Sequence, residues 1–112
     1  MGYKIKSRIW IESNNNVLLG EGRVQLLKAI ADTGSLSKAS KTLNISYKKA
    51  WQLLDSVNKS AKKPVTINSI GGKGGGGAQL TDYGKLLVNT FDDINKNCWE
   101  FLDEQLKKIK DL

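Results

Sequence analysis

A very short connection between two helical patterns is the feature that most constrains the fold of this 112-residue chain. The second pattern opens at Ser46, a residue type that favours the N-cap position, only a few residues after the first pattern ends. Asn44 lies in the connection, where a tight turn needs a positive φ angle. The small side chains of Ala39 and Ser40 allow the two helices to cross closely. These features predict a helix-turn-helix motif at about residues 35–60.

Patterns before this motif predict a strand and a helix. Residues 3–11 alternate between apolar and mostly basic side chains, which is typical of a half-buried strand. Residues 14–16 are asparagines, which favour a turn. From Gly22 the apolar residues recur at helical spacing. Gly34 is expected to end this first helix, because glycine readily adopts the left-handed backbone conformation.

The segments after the motif predict a hairpin and a long final helix. Pro64 ends the helical pattern, and residues 64–80 predict two short strands around a run of glycines, which we interpret as a wing. Residues 81–109 predict one helix on the order of 40 Å long. This order of elements is typical of a winged helix-turn-helix domain. We therefore predict a mainly α fold with a small β-hairpin, formed by residues 1–112 as a single domain.

Composition excludes several classes of function. The chain has no histidine and a single cysteine, Cys98, so histidine-based acid–base catalysis and the common zinc sites are not available. We predict neither an enzymatic activity nor a cofactor or metal. No apolar run approaches the roughly 18 residues of a membrane span, and residues 1–6 do not form a secretion signal. These features predict a cytoplasmic protein with no membrane partner.

Positive charge is concentrated in the middle of the chain. The formal net charge is +7, and residues 35–63 carry seven lysines against Asp55 alone, a net of +6. A locally basic surface attracts polyanions such as double-stranded DNA. The alternative is a lysine-rich surface that only keeps the domain in solution. Asp55 would repel phosphate, so we expect it outside any contact surface with DNA.

The third predicted helix carries the strongest candidates for DNA contact, because the second helix of such a motif enters the major groove. Lysine can donate to guanine, and glutamine can pair with adenine. The preceding helix would contact phosphates, and the glycine run would lie against the backbone or the minor groove. For Tyr47 and Trp51 the pattern leaves core packing and DNA contact equally open. The DNA-binding residues that we predict are Ser37, Lys38, Ser46, Tyr47, Lys48, Lys49, Gln52, Lys73, Gly74 and Gly75.

The glycine run at residues 71–77 allows two other interpretations. It contains a match to the G-x-G-x-x-G fingerprint of dinucleotide sites, which requires a βαβ unit with a second parallel strand. Only one helix is predicted to follow the run, so a nucleotide-using enzyme is the weakest hypothesis. A hairpin without a binding role is the other alternative.

The predicted final helix, on the order of 40 Å long, is longer than a compact domain of this size is wide, since such a domain has a radius of gyration near 13 Å. Its apolar stripe therefore extends past the core, and we predict that the chain forms a homodimer through it. A helix folded back along its own domain is the alternative. The interface residues that we predict are Leu87, Phe91, Ile94, Cys98, Trp99 and Leu102.

Several strings of residues form a specific combination over about residues 20–88. They are Gly22–Leu27, Thr33–Ser37, Ile45–Trp51, Gly71–Ala78, and Leu80–Thr81 with Gly84. Together they resemble the N-terminal DNA-binding domain of ModE-type molybdate-responsive regulators, which is related to the LysR-type winged helix. The resemblance implies a dimeric transcriptional regulator, with the third helix and the wing on DNA and the first and last helices supporting dimerisation. Because the chain ends at Leu112 without a molybdate-binding domain, it resembles a stand-alone form whose small-molecule effector is unknown.

The sequence therefore predicts a sequence-specific DNA-binding transcriptional regulator that acts as a homodimer. Two alternatives are kept: a winged-helix module that binds another protein, and a non-specific, nucleoid-type DNA binder. Binding to genomic and random DNA fragments separates the three hypotheses. Enrichment of particular fragments favours the regulator, equal affinity for all fragments favours the non-specific binder, and no binding favours the protein-interaction module.

Overall fold

The computed structural model describes residues 2–69, 77–110 and 112. In these residues, two antiparallel β-hairpins and four α-helices make up the regular structure. In chain order the elements are β1 (Trp10–Ser13), β2 (Asn16–Gly20), α1 (Glu21–Thr33), α2 (Leu36–Thr42), α3 (Tyr47–Ser60), β3 (Thr66–Ser69), β4 (Gly77–Leu80) and α4 (Asp82–Leu106). This is a mainly α winged helix with a long C-terminal helix, so the predicted fold class is confirmed.

Local sequence signals fix the junctions of the helix-turn-helix. Asn44 has a φ angle of 57°, the left-handed conformation that the tight turn between α2 and α3 requires. The Ser35 hydroxyl accepts a hydrogen bond from the Lys38 amide at 3.1 Å and caps α2. The Ser46 hydroxyl accepts one from the Lys49 amide at 3.0 Å and caps α3. These predicted roles are confirmed, and N-caps of this kind each contribute about 1 kcal/mol.

The N-terminal strand is shorter than predicted and has a partner that the sequence reading missed. Regular pairing begins only at Trp10, which lies opposite Gly20, and the prediction of a strand over residues 3–9 is wrong. The turn is the predicted one, with Asn14 and Asn15 at φ angles of 53° and 67°. To continue the ladder, the residues before Trp10 would have to pair with the residues after Gly20. Those residues belong to α1, so the ladder ends at Trp10.

The first residues of the chain run along the far half of α4 instead. The Tyr3 hydroxyl donates a hydrogen bond to the Leu112 carbonyl oxygen at 2.8 Å. The Ser7 hydroxyl oxygen lies 3.5 Å from the Cys98 sulfur. Ile9 then packs against the core. The alternating residues 3–9 therefore do not form a strand but an irregular segment that lies along α4.

The core lies where α1 meets β2, α3 and the beginning of α4. Leu19, Leu27 and Val57 are fully buried in one cluster and join β2, α1 and α3. Ala39 of α2 and Ala50 of α3 are fully buried in a second cluster, so these small residues do let the helices approach closely. Since one face of α3 is committed to this core, its opposite face lies at the surface.

The start of α4 is docked on the segment that precedes β3. The Thr81 hydroxyl accepts a hydrogen bond from the Gly84 amide at 2.9 Å and donates one to the Pro64 carbonyl oxygen at 2.7 Å. The Thr81 amide donates to the Val65 carbonyl oxygen at 3.0 Å. Gly84 is buried, and a Cβ at this position would lie 3.1 Å from the Val65 carbonyl carbon and closer still to its oxygen. The close approach of α4 to this backbone therefore requires glycine.

The Gly84→Ala variant is expected to be clearly less stable than the wild type. The added methyl group meets backbone atoms of Val65, which cannot move aside as a flexible side chain would. Overpacking of this kind costs about 1–3 kcal/mol, and we expect a melting temperature lower by about 10 °C. Gly22→Ala is the matched control, because a Cβ at Gly22 has no neighbour within 4 Å. Equal melting temperatures for the two variants would contradict close packing of α4 against the Val65 backbone.

The long helix α4 leaves its own domain after about ten residues. Its buried residues are Gly84, Val88 and Phe91, all in the first ten positions of the helix. The radius of gyration is 16.9 Å and the longest extent is 60 Å. A compact chain of this length has a radius of gyration near 13 Å, so α4 projects beyond the core as predicted.

In the described residues, no helix is both long enough and apolar enough to span a membrane.

Candidate nucleic-acid interface

The N-terminal part of α3 presents polar and aromatic side chains on the surface. We call this segment, Ser46–Gln52, the α3 tip. Within it only Ala50 is buried, whereas Lys48 and Lys49 are exposed. The predicted site residues Ser46, Tyr47 and Gln52 are exposed as well. Trp51, whose role the sequence left open, is 52% exposed and Tyr47 is 55% exposed, so neither is a core residue.

The start of α2 lies beside the α3 tip. The predicted residues Ser37 and Lys38 are both exposed in the first turn of α2. The Ser37 backbone carbonyl accepts a hydrogen bond from the Ser40 hydroxyl at 2.7 Å, and this bond does not involve the Ser37 side chain. Both predicted phosphate contacts of α2 are therefore accessible.

A groove of about 340 Å³ brings α2, α3 and the second hairpin together. We call it the shared groove. Its lining residues are Ser35, Leu36 and Ser37 near the start of α2, Tyr47, Trp51 and Leu54 of α3, and Asn68, Gly77 and Ala78 of the β3–β4 hairpin. Tyr47 and Trp51 of the α3 tip and the base of the wing consequently face the same groove.

Three hydrogen bonds hold the base of the wing against the helices. The Ala78 amide donates to the Gly34 carbonyl oxygen at 2.9 Å, which ties β4 to the end of α1. The Val65 amide donates to the Asn58 side-chain oxygen at 2.8 Å. The Asn58 side-chain amide donates to the Thr66 hydroxyl at 3.4 Å. Asn58 therefore links the C-terminal half of α3 to β3.

The predicted wing residues Lys73, Gly74 and Gly75 lie outside the described residues. The strands on either side of them pair in an antiparallel ladder, with Ser69 opposite Gly77. A dinucleotide fingerprint needs a strand, a helix and a second parallel strand. The antiparallel pairing does not supply that arrangement, so the nucleotide-site interpretation of the glycine run is not supported.

The basic charge of the interface is largely uncompensated within the described part of the chain. Among the described residues, Lys59 forms an ion pair with Asp55 at 2.9 Å, whereas Lys38, Lys48 and Lys49 have no carboxylate within 4.0 Å. Asp55 is half-buried, and the neighbouring ammonium group offsets its charge. No group of three or more acidic or thiol side chains in the described residues is placed to hold a metal ion.

A second polar groove on the other flank of α3 was missed by the sequence reading. It measures about 470 Å³ and lies between the β1–β2 hairpin and α3, beside Gln52. Arg23 lines this groove and donates a hydrogen bond to the Ser56 hydroxyl at 3.3 Å. The sequence signal that could have found it is the Asn-Asn turn followed by an apolar run, which predicts a hairpin at residues 13–20.

The predicted interface residues of α4 fall into two groups. Phe91 is only 2% exposed and belongs to the core of its own chain, so its side chain is not available to a partner. Ile94 is 46% exposed and Trp99 is 37% exposed, and Phe101, seven residues after Ile94 and therefore on the same face, is 62% exposed. The remaining predicted residues, Leu87, Cys98 and Leu102, are half-buried.

The described elements form a winged helix-turn-helix domain with exposed lysines on α2 and α3. No family model matches the chain. Its relatives are nevertheless clear: it is 32% identical to the molybdenum transport protein ModE of Azotobacter vinelandii over 95% of this chain and 39% of that protein. It is 44% identical to the DNA-binding transcriptional dual regulator ModE of Escherichia coli K12, over 73% of this chain and 32% of that protein. It is also 44% identical to the transcriptional regulator ModE of Yersinia pestis, over 62% of this chain and 27% of that protein.

The chain belongs to the ModE family and matches the N-terminal region of these proteins. It spans about two fifths or less of the length of these three relatives. The family resemblance predicted from the sequence strings is thereby confirmed.

Proposed function

We propose that this chain is a sequence-specific DNA-binding regulator of transcription that acts as a homodimer. The single observation that carries the proposal is the shared groove, where Tyr47 and Trp51 of the exposed α3 tip meet the start of α2 and the base of the wing. The names of the relatives, which include a DNA-binding transcriptional dual regulator, support it. In this proposal residues 1–112 act as one DNA-binding domain.

The α3 tip enters the major groove in this arrangement. Lys48 and Lys49 donate to guanine or to phosphate oxygens, and Gln52 pairs with adenine. The Ser46 hydroxyl uses its oxygen to accept from the Lys49 amide, so its proton remains able to donate to a phosphate. The positive end of the α3 dipole adds to this attraction for phosphate.

The start of α2 and the wing make the contacts that set the register on the duplex. Ser37 and Lys38 contact phosphates, and the wing residues Lys73, Gly74 and Gly75 lie against the backbone or in the minor groove. These contacts carry little sequence information themselves, but they hold the α3 tip at a fixed depth.

The exposed apolar residues of α4 pair with a second copy of the chain. Ile94, Trp99 and Phe101 offer surface that the chain does not cover by itself. A two-fold dimer presents two α3 tips to successive major grooves on one side of the duplex. Its two half-sites are then expected about 34–36 Å apart along the DNA.

Selection of bound fragments from the source genome tests this proposal. We expect a small set of fragments to be enriched, and each is expected to contain two related half-sites about one helical turn apart. Equal recovery of all fragments would support a non-specific binder instead. Recovery of none, at salt concentrations from low to physiological, would contradict DNA binding and favour a protein-interaction module.

A further inference from the structure

Two aromatic side chains on the α3 tip are exposed in the shared groove. Tyr47 is 55% exposed and Trp51 is 52% exposed, and both line the shared groove. They are four residues apart and therefore lie on one face of α3, one turn after the other. Large aromatic side chains at a surface favour a ligand that covers them.

The surroundings of these two rings indicate the chemistry of that ligand. The groove also contains the apolar side chains of Leu36, Leu54 and Ala78. Lys48 and Lys38 are exposed, and each follows a residue that lines the groove, Tyr47 and Ser37 respectively; neither lysine has a carboxylate within 4.0 Å among the described residues. An apolar surface edged by cations fits a polyanion that carries apolar groups between its charges.

Duplex DNA has this character in the major groove. Phosphates line its two edges, and the C5 methyl group of thymine is the apolar group exposed on its floor. Residues four apart on a helix are separated by about 6 Å along the axis, which is close to two steps of about 3.4 Å between base pairs. Two rings so spaced can contact methyl groups about two base pairs apart.

We propose that Tyr47 and Trp51 are specificity-determining residues that recognise thymine methyl groups in each half-site. This inference rests on the proposed DNA-binding function and extends it from polar contacts to apolar ones. The lysines of the α3 tip supply attraction and polar contacts, and the two rings favour thymine over cytosine or uracil at the positions that they cover.

Replacement of thymine by uracil in a selected fragment tests the proposal directly. Uracil keeps the base pairing and the O4 acceptor of thymine but lacks the methyl group. At the positions that the rings cover, we expect each replacement to weaken binding about fourfold, the value of one buried methyl group. Changing the equivalent thymine in both half-sites is expected to weaken binding about fifteenfold. Replacements outside these positions are expected to leave the affinity unchanged.

Alanine variants of Tyr47 and Trp51 show whether the difference in affinity between thymine and uracil duplexes depends on these two side chains. Tyr47→Ala and Trp51→Ala are expected to bind the thymine and uracil duplexes equally well at the position that each ring covers. Trp10→Ala is the matched control, because Trp10 is 54% exposed but lies on the β1–β2 hairpin. It is expected to keep the full difference between thymine and uracil. Melting temperatures of all three variants check that the fold is retained.

Several outcomes overturn this inference without affecting the proposed function. One is a wild-type protein that binds fragments selectively but does not distinguish thymine from uracil at any position. Another is a thymine preference that persists unchanged in Tyr47→Ala and Trp51→Ala. Equal affinity for all sequences is a different outcome, because it contradicts the proposed sequence-specific function as well as methyl recognition. Failure of the wild type to bind any fragment contradicts the proposed function itself.

Discussion

Replacing Lys48 and Lys49 together by alanine is expected to weaken binding to the selected fragments by about 100-fold or more at low salt. A homodimer loses four ammonium groups in this variant, all of them from the α3 tip. Each lysine that contacts a phosphate releases about one counterion, so the slope of log affinity against log salt is expected to be about three to four units smaller. Fluorescence anisotropy with one labelled fragment over a range of salt concentrations measures both effects.

A variant with Lys96→Ala and Lys108→Ala is the matched control for charge. It removes the same number of positive charges from exposed positions at or beyond the middle of α4, away from the α3 tip. We expect its affinity to fall less than about threefold, because distant charges act only through screened long-range attraction. Equal losses in the two double variants would show that net charge alone drives binding and would contradict a specific contact at the α3 tip.

Replacing Ile94 and Phe101 together by aspartate is expected to convert the proposed dimer to monomers. The two side chains lie seven residues apart on one face of α4 and are 46% and 62% exposed in the single chain. Carboxylates at these positions would have to be buried in an apolar interface without a partner. Sedimentation measures the change in mass directly. Affinity for a fragment with two half-sites is expected to fall by a factor on the order of 10²–10⁴, because the second half-site is no longer bound by a linked domain.

The control for this change places the same charge on another face of α4. Asn89→Asp with Lys96→Gln also makes the chain more negative by two charges, and these exposed residues are likewise seven positions apart. This variant is expected to remain dimeric. If it dissociates as readily as the Ile94→Asp and Phe101→Asp double variant, general repulsion rather than a specific interface explains the effect. A wild-type chain that is monomeric at all concentrations would contradict the proposed dimer.

The helix junctions could be predicted from the sequence because they depend on single residue types. Ser35 and Ser46 cap α2 and α3, and Asn44 adopts a positive φ angle, since each residue suits its own position whatever lies far away. The N-terminal segment could not be predicted in the same way. Residues 3–9 can pair as a strand only if β2 continues far enough to lie opposite them. β2 ends at Gly20 because α1 begins at Glu21, so these residues have no partner in the hairpin.

The candidate site was predicted only in part for a similar reason. The exposure of Lys48 and Lys49 follows from the buried stripe of α3, which periodicity reveals. Periodicity predicts the apolar stripe of α4 but not the point at which that stripe stops contacting the core of its own chain. The sequence therefore predicts Phe91 as an interface residue, although its side chain is buried within the chain. The groove beside Arg23 depends on the position of β2 against α3, and the local pattern around the Asn-Asn turn predicts the hairpin but not where it packs.

The hydrogen bonds between Asn58 and the first wing strand have a consequence for the shape of the operator. Hydrogen bonds hold Val65 and Thr66 to α3 and Ala78 to the end of α1, and they oppose an independent shift of the wing strands. In the proposed complex, the DNA is therefore expected to adjust to the wing by bending or by changing the width of its grooves. Sequences that deform easily at the wing are then favoured even where no side chain reaches a base.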